Sequence, residues 1–321
     1  MRFLALLLTL LAIASCAGVP PPAPQGAGGL WMDAAIFTPV AKTIAGARWR
    51  VLVEMYEFGR PDLEAALIAA RARGAEVRLV LDPTVADTVS TGRRLLAAAV
   101  PVRFYPVDDR LGQIDHVKLL VGDGRAVLGG MNWGLHSDRN HDYALWLAQP
   151  AELQRLAAVF EQDWALAGGL PRPLPIENGS IAQTAPGSEI RRLLGGRLGE
   201  ARARIEAEVF DLTDPDLLLL LETAAWRGVR VRVLLDPGQD VNRPAFAQLR
   251  RAGPEVRWYR PPPGAKLHAK AVLADARLLL GSANWSRHGL DVNHELDVET
   301  DDRAAIAAYG ARFDSDWEAA A

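Results

Sequence analysis

Two histidines, His116 and His268, each stand two residues ahead of a lysine (Lys118, Lys270) and seven ahead of an aspartate (Asp123, Asp275). An imidazole can act as nucleophile or as general acid and base near neutral pH, and a compact ammonium beside it can neutralise an anion. The flanking residues, His116-Val-Lys-Leu-Leu-Val and His268-Ala-Lys-Ala-Val-Leu, have strand character, and a strand's period of two puts His and Lys on one face and the apolar residues on the other. Burying both polar groups without a partner is costly, and a bound anion supplies the partner. One such strand would be an ordinary edge strand; two in matching register point to a site. Only four lysines, Lys42, Lys118, Lys266 and Lys270, occur among 36 basic residues, so two of the four are spent here.

Other polar residues follow each motif at matched distances. Asn132 and Asn284 come sixteen residues after the motif histidines, where an amide can donate to an anion's oxygen. Asn140-His141-Asp142 and Asn293-His294-Glu295 bring one carboxylate per half. Each carboxylate is expected to accept Nδ1–H of the motif histidine in its own half, which leaves Nε2 facing a substrate. Asp123 is followed by Gly124 where the strand must turn back, so it and Asp275 are read as braces of the strand ends. The remaining histidines, 136, 141, 288 and 294, match the spacing of no common metal site, and no cysteine joins them, so neither metal nor cofactor is expected. Trp133 and Trp285, after the two asparagines, are read as core.

The elements that must carry these residues appear twice. Pro61-Asp62-Leu63 matches Pro215-Asp216-Leu217, and Asp82-Pro83 matches Asp236-Pro237, at a spacing of 154; the motifs match at 152, and Phe160-x-x-Asp163-Trp164 matches Phe313-x-x-Asp316-Trp317 at 153. A period this long is a duplicated domain rather than a solenoid repeat and implies a pseudo-twofold axis. In each copy a strand (Arg50 to Tyr56, Arg204 to Phe210), a helix opened by Pro-Asp and closed at Gly74 or Gly228, and a second buried strand give an α/β pattern. The predicted divisions are 31–167 and 188–321, joined by a Pro- and Gly-rich linker at 168–187.

These motifs, each followed by Gly-Ser-x-Asn (Gly281 to Asn284) or a variant of it (Gly129 to Asn132) and then by a carboxylate, resemble the phospholipase D superfamily over nearly the whole chain after residue 30. The resemblance implies two phospholipase D-like α/β domains with one active site at their interface. It further implies a metal-independent phosphodiesterase in which Lys118, Lys270, Asn132, Asn284 and the Ser282 hydroxyl hold the phosphate, while one histidine attacks phosphorus to form a phosphohistidine and the other protonates the leaving group. Family precedent assigns attack to His116 and acid–base work to His268; the near-symmetry of the motifs leaves that order open. Gly130 in place of a serine removes one hydroxyl from the first half, and Asp142 opposite Glu295 gives the two histidines carboxylates of different reach.

The N-terminus reads as an export signal over 1–15, with Arg2 ahead of an apolar run, Phe3 to Ile13, too short to span a bilayer. Ile13-Ala14-Ser15-Cys16 resembles a bacterial lipobox. The lone cysteine, Cys16, would carry the lipid, and 16–30 would form a Pro-rich tether, placing a monomer at the cell envelope. One cysteine excludes an internal disulfide. With 36 basic and 39 acidic residues the net charge is −3 and no basic run occurs, which argues against a dedicated nucleic-acid binder. A phospholipid beside the anchoring membrane is thus the expected substrate. A nuclease of the same superfamily acting on DNA or RNA, or a non-catalytic envelope protein binding anionic lipid, are the alternatives.

Overall fold

The computed structural model describes residues 25–184 and 188–320. The export signal and Cys16 lie outside the described residues. Two seven-stranded mixed sheets are built alike. The first contains β1 (Leu30–Met32), β2 (Arg50–Met55), β3 (Glu76–Leu81), β4 (Val102–Phe104), β5 (Lys118–Gly122), β6 (Arg125–Gly129) and β7 (Tyr143–Leu147), in the order β1-β7-β6-β5-β2-β3-β4. The second contains β8 (Ile181–Gln183), β9 (Arg204–Val209), β10 (Arg230–Leu235), β11 (Glu255–Trp258), β12 (Lys270–Ala274), β13 (Arg277–Gly281) and β14 (Leu296–Thr300), in the order β11-β10-β9-β12-β13-β14-β8. Part of the stretch read as linker is therefore sheet: β8 pairs antiparallel with β14 as β1 does with β7.

Burial alternates along the strands and divides the helices into layers. Val51, Val53 and Met55 of β2 face α1 (Phe37–Gly46), α2 (Pro61–Ala72) and α3 (Ala86–Ala97). Ile205, Ala207 and Val209 of β9 face α5 (Glu189–Glu200), α6 (Pro215–Trp226) and α7 (Asn242–Ala252). The opposite faces of both sheets share one central core, with Leu52, Leu119 and Val121 on one side, Leu234, Ala271 and Leu273 on the other, and α4 (Pro150–Leu166) and α8 (Arg303–Ala319) included in it. Phe160 of α4 and Phe313 of α8, matched in the repeat, are fully buried there; each contributes about 2–3 kcal/mol by leaving water. The two halves thus share the core that holds them together. Among the described residues no helix is long and apolar enough to cross a membrane.

Pro61 and Pro215 occupy the first helical positions of α2 and α6, where a missing N–H costs nothing. Gly74 and Gly228, just past those helices, have φ of +97° and +89°, a conformation that L side chains adopt only with strain. The starts of the two motif strands differ from the sequence reading. β5 and β12 start at Lys118 and Lys270 rather than at the histidines, because the His116 and His268 N–H groups bond to the other half of the molecule.

Asp123 accepts hydrogen bonds from the backbone N–H of Arg48, Trp49 and Arg50 at 2.6, 2.8 and 2.9 Å. Asp275 accepts from Arg202, Ala203 and Arg204, each at 2.9 Å. Both carboxylates sit at the end of the motif strand remote from the histidine and tie it to the start of β2 or β9. Burial pushes each carboxyl upward, but the three N–H groups prevail and hold it below the ordinary value. Such a group stabilises the fold above the unfolded-state pKa, and that stability is lost as pH falls through the folded value. Asp123→Ala and Asp275→Ala should each cost about 2 kcal/mol in urea unfolding at pH 7, and less at pH 3.

Candidate active site

The motif histidines sit where the two halves exchange backbone hydrogen bonds. His116 N–H donates to His294 C=O at 2.8 Å, and His294 N–H to Ile114 C=O at 2.9 Å; His268 N–H donates to His141 C=O and His141 N–H to Lys266 C=O, both at 2.8 Å. Each half therefore lays the segment before its motif strand beside the segment before the last strand of the other half. A carboxylate clamps each lead-in from its own side: Asp82 Oδ2 accepts from Asp115 N–H at 2.8 Å, and Asp236 Oδ2 from Leu267 N–H at 2.6 Å.

This exchange crosses the side-chain pairs. His116 Nδ1 lies 2.9 Å from Glu295 Oε2, and His268 Nδ1 lies 2.7 Å from Asp142 Oδ2. The expectation that each carboxylate serves its own half is thus corrected: each serves the other half, because the backbone bridges bring His294 beside His116 and His141 beside His268. With Nδ1–H donated to a carboxylate, the lone pair of each imidazole is on Nε2. Lys270 Nζ stands 3.2 Å from His268 Nε2, in agreement with an acceptor there.

All four motif side chains are nearly closed off from solvent, His116 at 5%, Lys118 at 3%, His268 at 7% and Lys270 at 3% exposure. Burial, then the charges of Lys118 and Lys270, hold the His116 imidazole well below its usual pKa. Burial, then Lys270, bring His268 to about 3, with Lys118 acting in the same sense. Both ammoniums thus disfavour the charged form of both imidazoles. Burial lowers Lys118 to about 7 and Lys270 to about 8, partly offset by Glu295 and Asp142, and it raises Glu295 to about 7. Each ammonium also bonds the carbonyl of its own histidine and lies over an aromatic ring, Lys118 5.0 Å from Tyr56 and Lys270 4.9 Å from Phe210.

The remaining residues named from sequence divide. Asn132 Nδ2 donates to Glu57 at 2.9 Å, which leaves its buried Oδ1 without a partner among the described residues; Asn284 Oδ1 is likewise unpartnered. The Ser282 hydroxyl accepts from Leu296 N–H at 3.0 Å and donates to Leu296 C=O at 3.4 Å. At Gly130 a Cβ would run into Asp142 Oδ1, so the missing serine and the shorter carboxylate of the first half are two sides of one packing solution. Trp133 and Trp285 are core, at 3% and 2% exposure. The sequence reading did not assign Asp82 and Asp236, nor Tyr56 and Phe210, although all four keep the spacing of 154.

Comparison with known proteins adds the lineage. The family model "Cardiolipin synthase, PLD-like domain" matches twice, over residues 40–164 and 194–317. A probable cardiolipin synthase of Bacillus subtilis, YwiE, is 25% identical over 88% of this chain, and cardiolipin synthase 2 of Bacillus cereus is 27% identical over 68% of it. The chain spans only 64% and 48% of the length of those two relatives. Human mitochondrial cardiolipin hydrolase is 32% identical over 41% of the chain. The phosphatidylserine synthase of Haemophilus influenzae shares the fold, with a TM-score of 0.70, 12% identity and coverage of 94% of this chain and 88% of that one.

The lowered lysine pKa values give the site a pH signature as an anion receptor. Both ammoniums are charged below about pH 7 and lose their protons as pH rises through about 7 and 8. Sulfate, whose own charge is constant over this range, should bind at least about tenfold more weakly at pH 9 than at pH 6.5 when titrated calorimetrically. Lys118→Met should remove the part that sets in near pH 7 and leave the part that Lys270 contributes near pH 8.

Proposed function

The chain belongs to the phospholipase D superfamily, and we propose that it is a phosphodiesterase that cleaves or transfers phosphatidyl groups through a phosphohistidine, with no metal at phosphorus. The observation that carries this reading is the crossed pair of imidazole–carboxylate couples with both lysines acting on both rings. Two ammoniums neutralise the phosphodiester, the work a divalent metal does elsewhere. One imidazole attacks phosphorus through Nε2, its Nδ1–H held by the partner carboxylate. The bond from phosphorus to the leaving oxygen breaks, and that oxygen takes the Nε2 proton of the second imidazole. Water or an alcohol then gives a proton to the second imidazole and attacks the phosphohistidine, restoring both rings. The free site holds both imidazoles neutral, so the acid must gain its proton with the substrate, whose negative charge raises an imidazole's pKa. In the free site Lys270 covers His268 Nε2, which supports His116 as the attacking ring.

The cardiolipin synthases among the relatives support a phosphatidyl substrate. Because both histidines come from one chain, a monomer suffices. The purified protein should release or transfer the head group of phosphatidylglycerol in vesicles, and His116→Ala and His268→Ala should each lower kcat at least about a thousandfold. A base-stable, acid-labile phosphoryl label should accumulate in His268→Ala and be absent from His116→Ala; the reverse exchanges the two roles. Glu295→Gln should cost about ten- to a hundredfold, and little more once His116 is already alanine. Cleavage of DNA without cleavage of lipid would make the protein a nuclease instead.

We further propose anchoring at the cell envelope through a lipid on Cys16. Palmitate should label the wild-type chain in a bacterial host and leave Cys16→Ala unlabelled and in the soluble fraction; labelling of the alanine variant would remove the anchor from the proposal.

A further inference from the structure

Behind the imidazole pairs lie two more buried clusters, related by the internal repeat. In one, Glu54 of β2, Asp163 of α4 and His294 converge, with His294 Nε2 at 3.1 Å from Asp163 Oδ2 and 3.4 Å from Glu54 Oε1. The Asp115 carboxyl lies at its edge, close enough for the Glu54 charge to act on it. Glu54, Asp115 and Asp163 are all 0% exposed, and His294 is 1% exposed. In the other cluster, Glu208 of β9 and Asp316 of α8 each lie 3.4 Å from His141 Nε2.

The duplication makes each cluster a control for the other. Around His141, the Arg312 guanidinium sits among the acids, 2.6 Å from Asp316 and 2.7 Å from Asp33, and the Tyr143 hydroxyl donates to Glu208. Around His294, the positions that the repeat relates to Arg312 and Tyr143 are Val159 and Leu296, which can donate nothing. The position related to Leu267 is Asp115, which adds a carboxylate. The first cluster has therefore lost a cation and a hydroxyl donor and gained an anion. Both Glu54 oxygens and Asp115 Oδ2 are buried with no hydrogen-bond partner among the described residues. Carboxylates left in this state are strongly disfavoured unless a cation joins them.

The spacing of the donors identifies the kind of cation. Ligand atoms held at about 2.0–2.2 Å from one ion lie about 3.0–3.5 Å from each other, the range of the two His294 separations. We propose that Glu54, Asp163 and His294, with the Asp115 carboxyl nearby, bind one divalent metal ion of the first transition row in the place that the Arg312 guanidinium fills in the second half. One imidazole with several carboxylates suits Mn²⁺, Fe²⁺ or Zn²⁺ better than the all-oxygen preference of Ca²⁺ or Mg²⁺. The ligands come from a strand, a helix and a connecting segment, so no sequence spacing announces them. With its donors fully buried, the ion would not touch substrate. It would fix His294, whose carbonyl holds His116 N–H and whose neighbour is Glu295.

The test uses the full chain, purified without chelator, and reads metal content and melting temperature rather than activity. About one equivalent of Mn, Fe or Zn per chain is expected by elemental analysis. Stripping the ion in mild denaturant should lower the melting temperature by about 5 °C, and adding it back should restore it. The double variant Asp115→Leu with Val159→Arg, which restores the cation and removes the extra carboxylate, should keep its circular dichroism spectrum, carry no metal and show no response to the chelator. Should that variant not fold, Glu54→Gln provides the same comparison. A wild-type chain with less than about a tenth of an equivalent, and a melting temperature unmoved by Mn²⁺ or Zn²⁺, would overturn the proposal and leave the cluster to protons alone.

Discussion

Four backbone hydrogen bonds across the pseudo-twofold axis govern the functional end of this molecule. They splice the lead-in of each motif strand to the lead-in of the other half's β7 or β14, so that His116 and His294 become neighbours, as do His268 and His141. Everything placed there follows from the splice, including the crossed imidazole–carboxylate pairs, the burial of both lysines and the convergence of two acid clusters on single histidines. A central core drawn from both sheets, with α4 and α8 packed into it, holds the splice closed. The halves cannot part without exposing that core and uncoupling both pairs at once.

Burial sets the chemistry of the site. In water His116, Lys118, His268 and Lys270 would be ordinary titrating groups. Enclosed together, the imidazoles are neutral and the ammoniums lie close to giving up their protons. An anion beside these groups would favour the charged lysines and raise the pKa of an imidazole. The aromatic rings of Tyr56 and Phe210 lie beside the two ammoniums and favour their charged form.

Much of this was legible in the sequence because the molecule was written twice. The doubled His-x-Lys motifs, Pro61 and Pro215, Gly74 and Gly228, and the followers Asp142 and Glu295 could be paired by register alone. Register could not say which histidine meets which carboxylate, because pairing within a half and across halves leaves the same spacing; only the splice decides. For the same reason the sequence pattern starts the strands two residues early, at His116 and His268, whose N–H groups serve the neighbouring half. Ser282 has the place of a phosphate ligand in the motif, and its hydroxyl is also tied to the Leu296 backbone, which the sequence separates from it by 14 positions. Glu54 and Glu208, acids in the middle of apolar strands, were a signal in plain view; their meaning depended on Asp163 and Asp316 arriving from the helices that end each half.

The crossed pairing also orders events in time. A chain emerging from the ribosome completes its first half, with His116 and Lys118 in place, long before Glu295 has been made. Until the last strand of the second half is added, the imidazole of His116 lacks the carboxylate that sets its tautomer, and Asp142 waits for His268. The nascent protein thus carries the residues of its first half without their partners until the second half has been made.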